Sequence, residues 1–104
     1  MKSVYFIGAG GIGMSALERY FLSQGLFVGG YDRAECPLTE ELCAEGAHIH
    51  YEDNPDLIPQ ECKDKEHTLV VYTPAIPSTH KELTYFRENG FDIQKRAQVL
   101  GTLT

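Results

Sequence analysis

A short apolar run, Val4-Tyr5-Phe6-Ile7, leads into Gly8-Ala9-Gly10-Gly11-Ile12-Gly13-Met14-Ser15, so that glycines recur in the spacing G-x-G-x-x-G. Between a strand and a helix, that spacing leaves backbone N–H groups without partners at the positive end of a helix dipole. Such a spot suits a phosphate or diphosphate. Gly8 permits the tight turn, Gly10 lets a phosphate approach the backbone, and Gly13 lets helix and strand pack closely. The Ser15 hydroxyl, in the first helical turn, either adds a donor to that phosphate or bonds its own backbone. Asp32 stands 19 residues after Gly13. A carboxylate there accepts hydrogen bonds from ribose hydroxyls, or simply caps the next loop. Arg33 beside it reads as a solvated cation able to offset charge near a phosphate. In Thr73-Pro74-Ala75-Ile76-Pro77, two prolines lower the ordering cost of a binding wall. Ile76 there can pack on a flat base while Thr73 hydrogen-bonds.

The remaining reactive side chains offer less. His48 and His50 are two apart on a predicted strand, hence on one face, but no third ligand stands at metal-binding spacing. They read as surface histidines, as do His67 and His80. The acidic pairs Glu40-Glu41 and Glu52-Asp53 read as solvated faces. No nucleophile–base arrangement can be assembled, so no catalytic residue and no metal site is assigned. No G-x-x-x-x-G-K-[ST] loop occurs, so these residues alone provide no evident means of using ATP.

The elements that must position these groups alternate. Short apolar runs at 3–7, 26–31, 48–51, 69–72 and 92–95 read as strands; amphipathic stretches at 11–24, 39–45 and from Thr79 to Asn89 read as helices. In the first helix Met14, Leu17 and Phe21 form an apolar line with Ala16 and Tyr20 beside it, while Glu18 and Arg19 face out. Gly25, Gly46 and Gly90 close the helices. Residues 52–66 read as an irregular loop with one helical turn. Thr79 with Glu82 resembles a capping box, and Ala97 onward starts a further helix. The pattern predicts an α/β, Rossmann-like three-layer fold with a mostly parallel sheet of about five strands. In such a sheet ligands gather beyond the carboxyl ends of the strands, where the glycine turn, Asp32 and the Thr73–Pro77 loop all fall.

The 104 residues make one domain, small for a complete two-substrate enzyme. A net charge of −6 argues against a nucleic-acid surface and would repel a polyanionic ligand, so binding must rest on local donors. Three cysteines without a C-x-x-C pair read as the reduced thiols of a cytoplasmic protein. Neither a signal peptide nor a membrane span is expected.

The stretch Phe6–Ser15 closely resembles the opening of the Mur ligase family, in particular its UDP-N-acetylmuramate–L-alanine ligases. The likeness continues through Gly29-Gly30-Tyr31-Asp32, through Thr39, Leu42 and Gly46-Ala47, and through Val70–Pro77 to Lys95-Arg96-Ala97-Gln98-Val99-Leu100. The resemblance implies an N-terminal domain that holds the UDP part of a sugar nucleotide, UDP-N-acetylmuramic acid, rather than NAD. By position, the backbone of Gly10, Gly11, Ile12 and Gly13, with Ser15, would hold the diphosphate. Asp32 would serve the uridine ribose, and Thr73, Ala75 and Ile76 would border the uridine. Glu52-Asp53 stands where many members have Gly-His, and Thr73-Pro74 where many have Ser-Ser. A central domain carrying the ATP loop and magnesium, and a C-terminal domain completing the amino-acid site, are implied and absent from this chain. The fragment alone is therefore expected to be inactive.

Three rivals stand beside that reading. Gly8, Gly10, Gly13 and Asp32 also satisfy the fingerprint of an NAD-binding domain, although no nicotinamide-side catalytic group is evident. A stand-alone nucleotide-binding module is the second. The third is a sibling ligase that recycles whole muropeptides.

Overall fold

The computed structural model describes residues 2–10, 12–73, 76–77 and 79–95, with Ile12 described by its backbone only. Its order is β1 (Ser3–Ile7), α1 (Ile12–Ser23), β2 (Phe27–Tyr31), α2 (Pro37–Ala44), β3 (His48–His50), β4 (Thr68–Tyr72), α3 (Lys81–Glu88) and β5 (Asp92–Lys95). The loop between β3 and β4 contains two 3-10 turns, Pro55–Leu57 and Gln60–Lys63, where one helical turn was expected. The further helix expected from Ala97 lies outside the described residues.

All pairings are parallel, in the order β3-β2-β1-β4-β5. The strand order therefore reverses around β1, which opens a crevice at the carboxyl ends of β1 and β4. β1 is buried throughout, and its alternation feeds two cores. Val4 and Phe6 point to one face and pack with Met14, Leu17, Phe21 and Leu42. Tyr5 and Ile7 point to the other and pack with Ile58, Cys62, Leu83 and Phe86. The result is the expected three-layer α/β fold.

Glycines at the helix ends take the backbone angles that other residues avoid: φ is +78° at Gly25, +119° at Gly46 and +76° at Gly90. Gly29 and Gly30 act differently. A side chain on Gly30 would come within 2.9 Å of the Phe6 carbonyl oxygen and 3.1 Å of Ala9 Cβ. The close approach of β2 to the β1–α1 turn thus depends on a bare Cα at Gly30.

Helix α1 departs from expectation at Glu18. It is fully buried, and neither carboxyl oxygen has a hydrogen-bond partner. The helical period explains the placement: 14, 17, 18 and 21 form one i, i+3, i+4, i+7 stripe, and Glu18 lies on it with Met14, Leu17 and Phe21. Ala16 and Tyr20 fall off the stripe and are exposed. Arg19 does face out, 3.0 Å from Glu45 and 3.4 Å from Glu41. Such exposed pairs contribute at most about 1 kcal/mol.

Burial, and secondarily the nearby Asp32 carboxylate, pushes the Glu18 carboxyl up to about 9 from an ordinary 4.5. An acid whose folded pKa is raised stabilises the fold only while protonated. Stability should therefore fall as pH rises from about 4.5 toward about 9, by at most about 1.4 kcal/mol per pH unit. Glu18→Met should raise the urea midpoint at pH 8 and flatten this dependence. An unchanged pH profile in the variant would remove Glu18 as its source.

Candidate functional site

The first strand turns into α1 through Gly8, whose φ of +97° only glycine adopts freely. The N–H groups of Gly8 and Ala9 both donate to the Tyr31 carbonyl at 2.8 Å. These two donors are therefore engaged: they fasten the turn to the end of β2. The donors left for an anion are those further along, where the first turn of α1 has no intrahelical acceptors.

Asp32 leaves β2 with its N–H donating to the His50 carbonyl at 3.1 Å, and its Oδ1 accepts the Arg33 N–H at 2.8 Å. Its Oδ2 lies over the bare Cα of Gly10, in the space a side chain there would fill; Thr39 Cγ2 would stand 3.2 Å from the same point. Gly10 is thus close-packed against the carboxylate as well as open to the cavity. Across the crevice, the loop after β4 folds back, with Ile76 N–H donating to Thr73 O at 3.1 Å. A side chain on Gly8 would reach Thr73 Oγ1 at 3.4 Å and Ile76 Cδ1 at 3.7 Å. The turn and the loop therefore face each other.

Between them lies a cavity of about 590 Å³ lined by Gly8, Gly10, Tyr31, Asp32, Arg33, Thr73, Ile76, Pro77 and His80. It brings together Gly8, Gly10, Asp32, Thr73 and Ile76 of the ligand-binding residues expected from the sequence, with Arg33 beside them. Gly13 and Ser15 lie in the first turn of α1, Ser15 only 6% exposed, and neither is on the cavity wall. Ile12 contributes its backbone to the helix start. Gly11 and Ala75 fall outside the described residues.

Asp53, His50 and His80, read as solvated or surface groups, prove structural, as does Glu82, read as part of a helix cap. Asp53 caps α3: its Oδ2 accepts the Lys81 N–H at 2.9 Å and its Oδ1 the Glu82 N–H at 3.0 Å. Thr79 does not form the expected capping box. Glu82 instead turns inward, fully buried, where its oxygens accept from Tyr5 Oη and from Asn54 N–H at 3.1 Å and meet His50 Nε2 at 2.7 Å. Asp53 and Glu82 thus lock the loop after β3 and the start of α3 to each other. Burial, then the Glu82 charge, drives the Tyr5 phenol far up, which keeps it a donor. His50 joins this network. His80 is 7% exposed and packs edge-on against Tyr31 with ring centroids 4.6 Å apart. The other two histidines match their surface reading. His48 is exposed and stacks on Phe27, and His67 pairs with Asp64 at 2.8 Å.

Sequence reasoning had two usable signals for what it missed. Tyr31 is the last residue of β2 and must border any ligand at Asp32. Glu82 sits one position from Leu83 on the buried side of α3, so its carboxyl needed internal partners.

Cys36, Cys43 and Cys62 are all free thiols. Burial pushes the Cys62 thiol up to about 12, so it is unreactive packing. Among the described residues no group of three or more His, Cys, Asp or Glu is arranged to hold a metal ion. None of the described helices is long and apolar enough to cross a membrane.

A glycine turn at a strand-order reversal, facing an acidic β2 end and the loop after β4, is the Rossmann-like arrangement in which ligands gather beyond the strand ends, and comparison with known proteins places the chain more closely. Residues 3–104 match the profile described as "Mur ligase family, catalytic domain", and the chain belongs to that family. Over its full 104 residues it is 69% identical to UDP-N-acetylmuramate–L-alanine ligase of Phocaeicola vulgatus, covering 23% of that protein. It is 64% identical to the ligase of the same name from Parabacteroides distasonis, covering 22%. The crystal structure of UDP-N-acetylmuramate-alanine ligase from Thermotoga maritima superposes with a TM-score of 0.86 at 29% identity, over 99% of this chain and 23% of that one. The family resemblance read from Phe6–Ser15 therefore holds along the chain. The chain spans less than a quarter of the length of these relatives.

Proposed function

We propose that this chain is the N-terminal, nucleotide-holding domain of a UDP-N-acetylmuramate–L-alanine ligase, and that its cavity takes the UDP part of UDP-N-acetylmuramic acid. The observation that carries the reading is the cavity itself, which gathers the glycine turn, Asp32 and the Thr73–Pro77 loop at the carboxyl ends of the strands. In this reading the diphosphate lies on the backbone N–H groups of Gly10, Gly11, Ile12 and Gly13 at the mouth of α1, with Ser15 in the same turn. Asp32 accepts from the ribose hydroxyls, and Thr73, Ala75 and Ile76 border the uridine. Arg33, the lone arginine on the described wall, offsets part of the ligand's charge in a chain of net charge −6.

The whole protein would activate the muramic acid carboxylate with ATP as an acyl phosphate. The L-alanine amine would then attack that carbonyl, phosphate would leave, and an amide would remain. The described residues fit neither ATP nor magnesium, having no lysine-bearing phosphate loop and no cluster suited to a metal. Those parts belong to domains outside this chain, and this domain's part is to bind and orient the substrate. We place the reaction in the cytoplasm, in keeping with the three free thiols.

Titrating the intact protein with UDP and with NADH tests the reading against an NAD-binding alternative. UDP should bind and NADH should not compete; tighter NADH binding would overturn the assignment. In the same assay Asp32→Ala should weaken UDP by about 1.5–3 kcal/mol, the range for a hydrogen bond to a charged group. The loss should vanish for 2′,3′-dideoxyuridine diphosphate. An equal loss for that ligand would show that Asp32 does not serve the ribose.

A further inference from the structure

His80 is buried to within 7% of its surface on the wall of the nucleotide cavity, and neither of its ring nitrogens makes a hydrogen bond. Its Nδ1 lies 3.2 Å from Asp53 Oδ1, close enough for attraction, but the approach does not meet hydrogen-bond geometry. Asp53 is aimed at α3, each of its oxygens accepting a backbone N–H from the start of that helix. A neutral imidazole carries one N–H donor and one bare nitrogen acceptor. Buried polar groups of this kind are nearly always satisfied, and leaving them unpaired is destabilising. The fold leaves both ring nitrogens of His80 without a hydrogen bond, and Nε2 without even the electrostatic contact that Nδ1 has.

The rest of the cavity says what that edge is for. On the reading proposed above, on which this inference rests, the glycine turn takes the diphosphate and Asp32 takes the ribose. The described wall that remains is formed by Tyr31, Arg33, Thr73, Ile76, Pro77 and His80. It sets rings and aliphatic carbon beside a few polar groups, with the His80 ring edge-on to that of Tyr31 at 63°. Such a wall suits a flat heterocycle whose rim carries both donors and acceptors. Uracil has that character, with an N–H between two carbonyls.

We propose that His80 reads the base of the bound nucleotide, turning one ring nitrogen to the imide edge of uracil. Its packing against Tyr31 ties the ring to the end of β2, next to Asp32, so base and ribose are held by one continuous surface. The residue lies outside the glycine fingerprint and outside the set carried over from the family likeness. Its role comes from its burial and its unmet hydrogen bonds.

The test uses the intact protein and two probes, UDP and ribose 5-diphosphate, which keeps the diphosphate and sugar but lacks the base. His80→Phe preserves the packing on Tyr31 and removes both nitrogens. It should weaken UDP by about tenfold, the value of one hydrogen bond, and leave ribose 5-diphosphate unchanged. If that variant does not fold, the wild-type protein still decides. The imidazole ¹⁵N shifts of His80 should move on adding UDP and stay fixed on adding ribose 5-diphosphate. Normal UDP binding by His80→Phe, or ¹⁵N shifts blind to UDP, would overturn the proposal while leaving the UDP site intact. Failure of the wild-type protein to bind UDP at all would overturn the site and this inference together.

Discussion

Replacing Gly10 with valine is expected to abolish measurable UDP binding and to destabilise the fold by about 1–3 kcal/mol, the usual range for forcing atoms into filled space. A first carbon added at Gly10 lands on Asp32 Oδ2 and comes within 3.2 Å of Thr39 Cγ2. The Asp32 carboxylate must then swing away, so the ribose contact goes with the access to the turn's N–H groups. This sharpens the expectation from sequence, in which Gly10 served only the approaching phosphate. A double-mutant cycle in urea unfolding checks the cause. Gly10→Ala should cost markedly less stability in an Asp32→Ala background than alone, because neighbours in contact are not additive. Equal costs in the two backgrounds would mean that the crowding at Gly10 comes from elsewhere.

The second large effect lies beneath the site. Glu82→Ala should destabilise the protein by about 3–5 kcal/mol, since removing one member of a buried charged network strands the others. Tyr5 Oη, the Asn54 N–H and His50 Nε2 would all lose an oxygen that now stands within bonding reach. For a domain whose total stability is about 5–15 kcal/mol, that loss is severe. Chemical denaturation monitored by tyrosine fluorescence would measure it; this chain has no tryptophan. A change below about 1 kcal/mol would show that the network is not held together by Glu82.

The contrast between these two residues explains how much was legible beforehand. The strands were readable because apolar and β-branched runs of about five residues alternate with helical periods, and β5 falls on Asp92–Lys95 as expected. Helix ends were readable at Gly25, Gly46 and Gly90 because left-handed backbone favours glycine. The glycine turn, Asp32 and the Thr73–Pro77 loop were readable as neighbours because a parallel sheet brings its strand ends to one side. What escaped was long-range polar pairing. Tyr5 and Glu82 are 77 positions apart, and Asn54 and Glu82 are 28 apart, with no local pattern to link them. Asp53, one of an acidic pair with Glu52, looked solvated until the start of α3 was seen against it. Glu18 escaped for the opposite reason: its local period pointed inward, and its charge argued, wrongly, for the outside.

The central claim is that the turn from Gly8 to Gly13 cradles the diphosphate of a uridine nucleotide. A crystal structure of the intact protein with UDP tests it most directly. The account requires phosphate oxygens within hydrogen-bonding distance of the backbone N–H groups of Gly10–Gly13 and the ribose on Asp32. Nucleotide bound away from this crevice, with Asp32 still folded over Gly10 and the turn unliganded, would contradict it.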